Sequence, residues 1–412
     1  EHMAECRRCL ERIDAGIDLL ADAGQPHIRR AFAWMNEAML AQQERYEIAA
    51  KHRREWKMDG RYLVLDKSLA DVLAEQKEGA TQRPPRGWRP FQLAFILMNL
   101  RSMVDRHHEE RKLVDLIWFP TGGGKTEAYL GLTAFTIFHR RLEQPTNGGT
   151  TVLMRYTLRL LTAQQFERAA SLICACELIR AANPKLLGNE RISIGLWVGN
   201  SVTPGSQQEA KIKLNNLIRD RQSENPFLLL KCPWCGAEMG PVKADRRTVT
   251  KGYRQESGKV FFCCEDEDCS FSHGEGLPLH VIDEAIYEER PTLVVGTVDK
   301  FAMLPWKPQA GSLFGLNSGG CISPPDLVIQ DELHLISGAL GSMVGHYEAT
   351  IDALCTAQDG PFAGCSAKIV ASTATICRAS GQVKALYARE AFIFPPQGLQ
   401  AGESFFARER TD

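Results

Sequence analysis

The feature that most restricts how this chain can fold is a glycine-rich segment, Phe119-Pro120-Thr121-Gly122-Gly123-Gly124-Lys125-Thr126. It follows the apolar run Leu116 to Trp118 and precedes a helix-like stretch that starts at Glu127. A loop between a buried strand and a helix presents backbone N–H groups, and the helix dipole favours negative charge beside them. Three successive glycines also let the backbone turn around a phosphate chain. The segment therefore predicts a phosphate-binding loop.

Two side chains of this loop have distinct expected roles. Lys125 is expected to reach the β- and γ-phosphates of a nucleotide, and the Thr126 hydroxyl is expected to hold Mg²⁺. The strict nucleotide-loop pattern has a glycine five residues before Gly124, where this chain has Phe119. The residues expected to surround the phosphates are Thr121, Gly122, Gly123, Gly124, Lys125 and Thr126.

The order of apolar and helix-like segments around this loop indicates the fold class. From Trp88 onward, short apolar and β-branched runs alternate with helix-like segments, at 114–119, 151–154, 191–198, 292–295, 326–329 and 368–371. That alternation predicts an α/β domain with a mostly parallel sheet and helices on both faces. The first eighty residues show apolar side chains at helical spacing, among them Leu10, Ile13 and Ile17, and predict packed helices. A polar stretch at 77–87 predicts a linker.

A pair of carboxylates ends another apolar run, Asp326-Leu327-Val328-Ile329-Gln330-Asp331-Glu332-Leu333-His334. Parallel strands bring their carboxyl ends to one edge of a sheet, which is where ligands bind in such folds. We expect Asp331 to act on Mg²⁺ directly or through water, and Glu332 to orient and deprotonate an attacking water.

Five of the thirteen cysteines crowd into residues 232–269, whereas most of the others stand singly in apolar stretches. Scattered cysteines of this kind are typical of reduced core residues and argue against a disulfide framework. The cluster contains Cys232-Pro233-Trp234-Cys235-Gly236 and Cys263-Cys264-Glu265-Asp266-Glu267-Asp268-Cys269, and two such pairs suit tetrahedral Zn²⁺. The predicted ligands are Cys232, Cys235, Cys264 and Cys269, with Cys263 as the alternative to Cys264. Cys6-x-x-Cys9 has no second pair nearby and is assigned no metal.

Three segments of the chain resemble, in order, motifs I, II and III of superfamily 2 helicases. They are Gly124-Lys125-Thr126, Asp331-Glu332-Leu333-His334 and Ser372-Thr373-Ala374-Thr375. Residues 157–164 are similar to motif Ia, residues 294–301 to a motif that contacts a nucleic-acid backbone, and residues 88–92 to the adenine-reading Q motif. Within the superfamily, the chain most resembles the helicase component of DISARM phage-defence systems.

The resemblance implies ATP as the nucleotide, with Gln92 on the base, and His334 coupled to Ser372 or Thr373 together with Thr375. It also implies nucleic-acid contacts from Arg155, Thr157, Arg159, Gly199, Thr297 and Lys300. The expected partners are DNA, single-stranded or tailed duplex, and a protein of a defence complex. The implied catalytic residues are Lys125, Asp331, Glu332 and His334.

The resemblance covers about residues 88–380 and lacks motifs IV to VI, so we expect a longer natural protein with a second RecA-like domain. The predicted divisions are an N-terminal helical region at 1–82, RecA-like helicase domain 1 at 83–231 and 271–400, a zinc-ribbon-like insertion at 232–270, and the start of a linker at 401–412. His2-Met3 after Glu1 looks like a cloning scar. His107, His108 and His139 are expected at the surface.

Two other functional classes stay open at this point. A kinase or GTPase would share the phosphate loop, but the guanine-reading Asn-Lys-x-Asp is missing from the sequence. A non-catalytic module that binds zinc and nucleotide would be expected to have lost Lys125 or Glu332, and the chain has both. Within the resemblance to helicases, the alternative activity is that of a nucleic-acid-stimulated ATPase in DNA repair or restriction that does not separate strands. The net charge of −1 gives the protein no overall positive potential that would attract nucleic acid. No apolar run reaches the ~18 residues of a membrane span, and no signal peptide opens the chain, so we expect a cytoplasmic protein without a membrane partner.

Overall fold

The computed structural model describes residues 2–51, 54–60, 62–80, 87–119, 122–157, 159–199, 202–219, 224–244, 247–316, 322–358, 360, 362–375, 378–398 and 404–406. The helices are α1 (His2–Ala21), α2 (Pro26–Lys51), α3 (Leu69–Ala80), α4 (Pro90–Val104), α5 (Lys125–Glu143), α6 (Arg159–Ala182), α7 (Pro184–Leu187), α8 (Gln207–Arg219), α9 (Asp283–Glu289), α10 (Val298–Phe301), α11 (Gly338–Leu354) and α12 (Ala379–Tyr387). The strands are β1 (Trp56–Asp59), β2 (Tyr62–Leu65), β3 (Val114–Trp118), β4 (Val152–Tyr156), β5 (Ile194–Trp197), β6 (Gly240–Ala244), β7 (Arg247–Lys251), β8 (Tyr253–Glu256), β9 (Lys259–Phe262), β10 (Leu279–His280), β11 (Leu293–Thr297), β12 (Leu327–Gln330), β13 (Lys368–Thr373) and β14 (Ala391–Phe394).

A parallel sheet of eight strands forms the centre of the molecule, in the order β10-β5-β11-β4-β12-β13-β3-β14. The prediction of an α/β fold with a mostly parallel sheet is confirmed, and all six predicted runs form strands of it. The sequence analysis missed the two edge strands, β10 and β14. The carboxyl end of β3 leads into the glycine loop, and β13 is the strand that separates β3 from β12 in the sheet.

Each central strand sends alternate side chains into two separate apolar cores, as the twofold period of a strand requires. On β12, Leu327 and Ile329 face the core on which α2, α4, α5 and α6 pack, while Val328 faces the core of α11 and α12. Burial on both faces explains why these strands read as continuous apolar runs. The sheet is therefore a rigid platform whose carboxyl edge holds the predicted motifs.

The N-terminal region is joined to this sheet domain rather than separate from it. Helix α1 packs along α4, and α2 packs against α5 and α6. The expectation of helices throughout the first eighty residues is wrong at 56–65, where β1 and β2 form an antiparallel hairpin. The physical reason is a distant partner, because the buried Trp56 indole donates through Nε1 to the Glu238 carbonyl 2.9 Å away in the cysteine-rich segment.

The cysteine-rich segment lies between β5 and β10 and contains two antiparallel hairpins, β6–β7 and β8–β9. Arg54 ties this segment to the N-terminal region, since its buried guanidinium donates to Asp266 Oδ2 at 2.6 Å and to the Cys235 carbonyl at 3.3 Å. Among the described residues, no helix is both long enough and apolar enough to cross a membrane. Pro84 and Pro85 of the predicted linker lie outside the described residues.

Candidate nucleotide site and metal centre

The glycine loop joins β3 to α5, and its backbone has the left-handed turns that favour glycine. Gly122 has a φ of 81°, and Gly124, directly before the first residue of α5, has a φ of 91°. A Cβ on Gly124 would lie 2.8 Å from Nε2 at the end of the Gln92 side chain, which would have to move, and the positive φ is the stronger reason for glycine here. The loop residue Thr121 lies outside the described residues.

Lys125 is the first residue of α5, and its side chain is buried with only 8% of its surface exposed. Its Nζ donates to the Phe119 carbonyl at 2.7 Å and to the Thr373 carbonyl at 3.2 Å. Burial lowers the pKa of Lys125, while the neighbouring carboxylates of Glu332 and Asp331 oppose that shift. The structure therefore brings the predicted phosphate-binding lysine beside the two predicted carboxylates.

Asp331 follows the last residue of β12 and is held by several donors. Oδ1 accepts from the Glu332 backbone N–H at 3.0 Å and from the Ser372 hydroxyl. Oδ2 accepts from the Tyr129 hydroxyl at 2.8 Å, and that hydroxyl also lies 3.1 Å from Thr126 Oγ1. The carboxylate is thus fixed in orientation, as expected of a group that positions a metal ion.

Glu332 is half-buried, and its backbone lies in the left-handed region, with a φ of 50°. Burial and the neighbouring Asp331 raise the pKa of Glu332, which makes its carboxylate a stronger base. His334 Nδ1 lies 3.3 Å from Glu332 Oε2 and 3.4 Å from Thr373 Oγ1. Thr373 Oγ1 also accepts from the Thr375 backbone N–H at 3.2 Å. The structure therefore places His334 between the carboxylate pair and the Ser372–Thr375 segment.

One cleft with a volume of about 510 Å³ is lined by the three loop glycines and by Lys125, Thr126, Asp331 and Glu332. Gln92 borders it, but both ends of its amide are engaged: Nε2 donates to the Gly124 carbonyl and Oε1 accepts from the Arg89 N–H, each at 2.8 Å. Arg89 in turn donates to the Gly123 carbonyl at 2.6 Å. The sequence analysis missed Arg89 and Tyr129; Tyr129 was detectable because it lies one helical turn after Thr126, on the same helix face.

The residues expected to contact nucleic acid are only partly brought to one surface. The carboxyl ends of β4, β5 and β11 are neighbours at the same sheet edge as the cleft, which places Thr157, Gly199 and Thr297 in adjacent positions. The side chain of Thr297 is buried, and that of Arg159, at the start of α6, lies outside the described part of the chain.

Two of the expected nucleic-acid contacts require correction. Arg155 is buried and its Nη1 pairs with Glu348 Oε1 at 2.5 Å, and Lys300 is buried with its Nζ 2.6 Å from Asp283 Oδ2. Each cation is held by a carboxylate inside the protein, so in this structure neither presents its charge to a phosphate backbone. The sequence could not reveal this, because the partner carboxylates stand outside the motifs.

The four predicted metal ligands converge at one point. The Sγ atoms of Cys232, Cys235, Cys264 and Cys269 all lie within 4.8 Å of one another, and all four residues are buried. Cys263 lies outside this group, so the structure favours Cys264 in the choice between them. Cys232 to Gly236 form a tight turn in which the Gly236 N–H donates to the Cys232 carbonyl at 2.9 Å. Four converging soft ligands fit a structural Zn²⁺ site.

A second group of possible ligands, His27, His139 and Glu143, lies between α2 and α5. The expected surface position of His139 is wrong, because the side chain is buried and burial lowers its pKa to about 4. The nearby arginines Arg106 and Arg111 lower that pKa further. Their positive charge opposes binding of a cation, and we assign no metal to this group.

Models of known protein families give no match. DISARM protein DrmA from Bacillus paralicheniformis is 39% identical over an aligned length of 447 residues, and the alignment includes 98% of this chain. This chain is homologous to DISARM protein DrmA. It spans 37% of the length of that relative. The predicted resemblance to a component of a DISARM system is thereby confirmed.

Two solved structures show a distant likeness to this chain. Mss116p bound to ssRNA and AMP-PNP gives a TM-score of 0.40 at 11% identity, covering 82% of this chain and 46% of that one. DUF1998 helicase MrfA bound to DNA and AMPPNP gives a TM-score of 0.39 at 12% identity, covering 83% and 30%.

Proposed function

We propose that this chain is the ATP-binding part of a superfamily 2 helicase or DNA translocase that acts in bacterial defence against phage. The observation that carries the proposal is the convergence of Lys125, Thr126, Asp331 and Glu332 in one cleft, although the two pairs stand about two hundred residues apart in sequence. The homology to DrmA supports the role in defence.

The residues of the cleft divide the chemistry of ATP hydrolysis between them. Backbone N–H groups at the start of α5 and the Lys125 ammonium would bind phosphate oxygens. Thr126 and Asp331 would hold Mg²⁺, which when bound neutralises charge on the transferring phosphoryl group. Glu332 would accept a proton from the attacking water, which the raised pKa of this carboxyl favours. His334 would relay the state of the nucleotide to Thr373.

The test of this assignment separates nucleotide binding from the chemical step. Lys125→Ala is expected to abolish ATP binding, because it removes the charge that faces the phosphates. Glu332→Gln is expected to preserve binding and to block single-turnover hydrolysis. Lys384→Ala, which removes an exposed lysine paired with Glu390, is the matched control. Normal binding and turnover in both site variants would refute the proposal.

The nucleic-acid partner in this proposal is DNA, single-stranded or as a tailed duplex. Support comes from the motif resemblance and from the position of Thr157 and Gly199 at the carboxyl edge of the sheet, beside the cleft. DNA is expected to stimulate ATP turnover in the complete protein, and RNA that stimulated equally would broaden the substrate. A protein of the defence complex is the second expected partner.

We infer that the cysteine cluster holds one structural Zn²⁺. The four ligands are all cysteines, so no position stays open for catalysis. The Asp266 backbone N–H lies 3.5 Å from Cys264 Sγ, and the same Asp266 side chain pairs with Arg54. Zn²⁺ bound there would order the segment against the N-terminal hairpin.

A further inference from the structure

The hydroxyl of Tyr129 lies between the two groups that are expected to hold Mg²⁺. It is 3.1 Å from Thr126 Oγ1 and 2.8 Å from Asp331 Oδ2. Tyr129 lies in the first turns of α5, and its side chain is 1% exposed. No part of the predicted ATP chemistry uses this residue, so its position between both groups calls for an explanation.

Hydrogen counting sets the direction of these two hydrogen bonds. A phenol has one hydrogen to donate, and an ionised carboxylate can only accept. The Tyr129 hydrogen therefore goes to Asp331 Oδ2, where it makes a charge-assisted bond. With that hydrogen committed, the 3.1 Å contact is a hydrogen bond only if the Thr126 hydroxyl donates to Tyr129 Oη, which leaves the lone pairs of the Thr126 oxygen free to point elsewhere.

That orientation is the one a metal-binding hydroxyl needs. A threonine that ligates a cation through oxygen keeps its hydrogen, and the hydrogen needs an acceptor on the side away from the ion. Tyr129 supplies this acceptor for Thr126. The chain of donors from Thr126 to Tyr129 to Asp331 thus orients both expected ligands at once.

The two oxygens of Asp331 are fixed by different donors. Oδ1 is held by Ser372 and by the Glu332 N–H, whereas the described structure gives Oδ2 the Tyr129 hydroxyl. A phenol loses its hydrogen only at about pH 10, so Tyr129 has a hydrogen to donate at neutral pH.

We propose that Tyr129 is a positioning residue for Mg²⁺, which orients the Thr126 hydroxyl and the Asp331 carboxylate without touching the ion. This role rests on the proposed ATP-binding function. It predicts that loss of the Tyr129 hydroxyl weakens the response of nucleotide binding to Mg²⁺ and leaves metal-free nucleotide binding unchanged.

The experiment measures binding of a fluorescent ATP analogue to the 412-residue chain, first in EDTA and then during a Mg²⁺ titration. Tyr129→Phe is expected to raise the half-saturating Mg²⁺ concentration roughly 3- to 10-fold, the usual effect of one lost intramolecular hydrogen bond. Its affinity in EDTA should equal that of the parent. Thr133→Val is the matched control, because it removes another buried α5 hydroxyl, which donates to the Tyr129 carbonyl at 2.9 Å and contacts neither ligand.

A double-mutant cycle adds a measurement that general loosening of the helix would not reproduce. In an Asp331→Asn background the effect of Tyr129→Phe on the Mg²⁺ response should largely disappear, because the hydrogen bond no longer has its charged acceptor. Additive effects would overturn the proposal, as would equal Mg²⁺ responses in Tyr129→Phe and the parent, or a parallel loss of affinity in EDTA. A parent chain that binds no nucleotide with Mg²⁺ would instead overturn the proposed function, and this inference with it.

Discussion

Replacing Asp326 by asparagine is expected to destabilise the fold strongly, because three arginines converge on this carboxylate. Its oxygens lie 2.7 Å from Arg140 Nε, 3.1 Å from Arg106 Nη2 and 3.4 Å from Arg111 Nη2. All four side chains are at most 8% exposed. Asp326 directly precedes β12 and Asp331 directly follows it, so the cluster anchors the strand that leads into the carboxylate pair.

The magnitude follows from the charges. The arginines lower the pKa of Asp326 from 3.8 to about 2 against the opposing effect of burial. At 1.36 kcal/mol per pKa unit, a shift of this size stabilises the folded protein at neutral pH by ~2 kcal/mol. Asparagine would also leave three buried guanidinium groups without their counter-charge, and removing one partner from a buried ion pair costs ~3–5 kcal/mol. We therefore expect Asp326→Asn to lower the free energy of unfolding by ~3 kcal/mol.

Urea unfolding at neutral pH measures this loss, with Asp352→Asn as the matched control. Asp352 also pairs with an arginine, Arg389, but its side chain is 47% exposed, and exposed pairs contribute less than ~1 kcal/mol. The pKa of Asp326 is lower in the folded protein than in the unfolded chain. Its contribution to the free energy of unfolding is therefore complete above pH 3.8 and is lost as the pH falls toward about 2. The difference between Asp326→Asn and the parent should therefore begin to narrow below about pH 4.

Equal stability of the Asp326→Asn and Asp352→Asn variants at neutral pH would refute the reasoning. So would a difference that stays constant as the protein is acidified through pH 4, because the effect would then come from packing and not from the carboxylate charge.

Three further predictions concern the metal, the nucleic acid and the turnover of ATP. Elemental analysis is expected to find about one zinc ion per chain, which Cys232→Ser should lose and Cys263→Ser should keep. A metal-free protein whose cysteine-rich segment is folded would contradict the zinc assignment. Arg159→Ala is expected to weaken DNA binding at all sequences and to flatten its salt dependence, measured by fluorescence anisotropy; Lys300→Ala should instead lower the melting temperature, because it leaves Asp283 buried without its cation. ATP turnover by this chain alone should be ~10³-fold or more slower than that of a complete relative, since a second RecA-like domain would supply the stabilising arginines; equal DNA-stimulated rates would place the arginine within this chain.

The six central strands were predictable because burial on both faces makes each of them a continuous apolar run. Strand β10 has two residues, too few to leave a pattern, and β14 follows a helix that the sequence did not delimit. The hairpin of β1 and β2 could not be predicted from local pattern, because the acceptor of the Trp56 indole is 182 residues away in the chain. Non-local partners of this kind override local propensity.

The candidate site shows the same division between local and distant information. The glycine loop and the Asp-Glu pair were recognisable, since each lies in a continuous segment with its own composition. The burial of Arg155 was not, because its partner Glu348 lies 193 residues further along. A motif alignment assigns a position to a side chain, whereas the charges around it decide whether that side chain reaches solvent or an internal carboxylate.

The Asp326 cluster and Tyr129 together show how distant contacts set the geometry of the cleft. Arg140 follows Tyr129 by eleven residues on α5, about 17 Å along the helix, and Asp326 precedes Asp331 by five residues, about 17 Å along the strand. Helix and strand are thus joined by Arg140–Asp326 at one end and by Tyr129–Asp331 at the other. Because both elements are rigid, a change at Asp326 should tilt β12 against α5 and shift Asp331 relative to Thr126. Asp326→Asn is therefore expected to weaken the Mg²⁺ response of nucleotide binding under conditions where the protein is still folded, whereas Asp352→Asn should not.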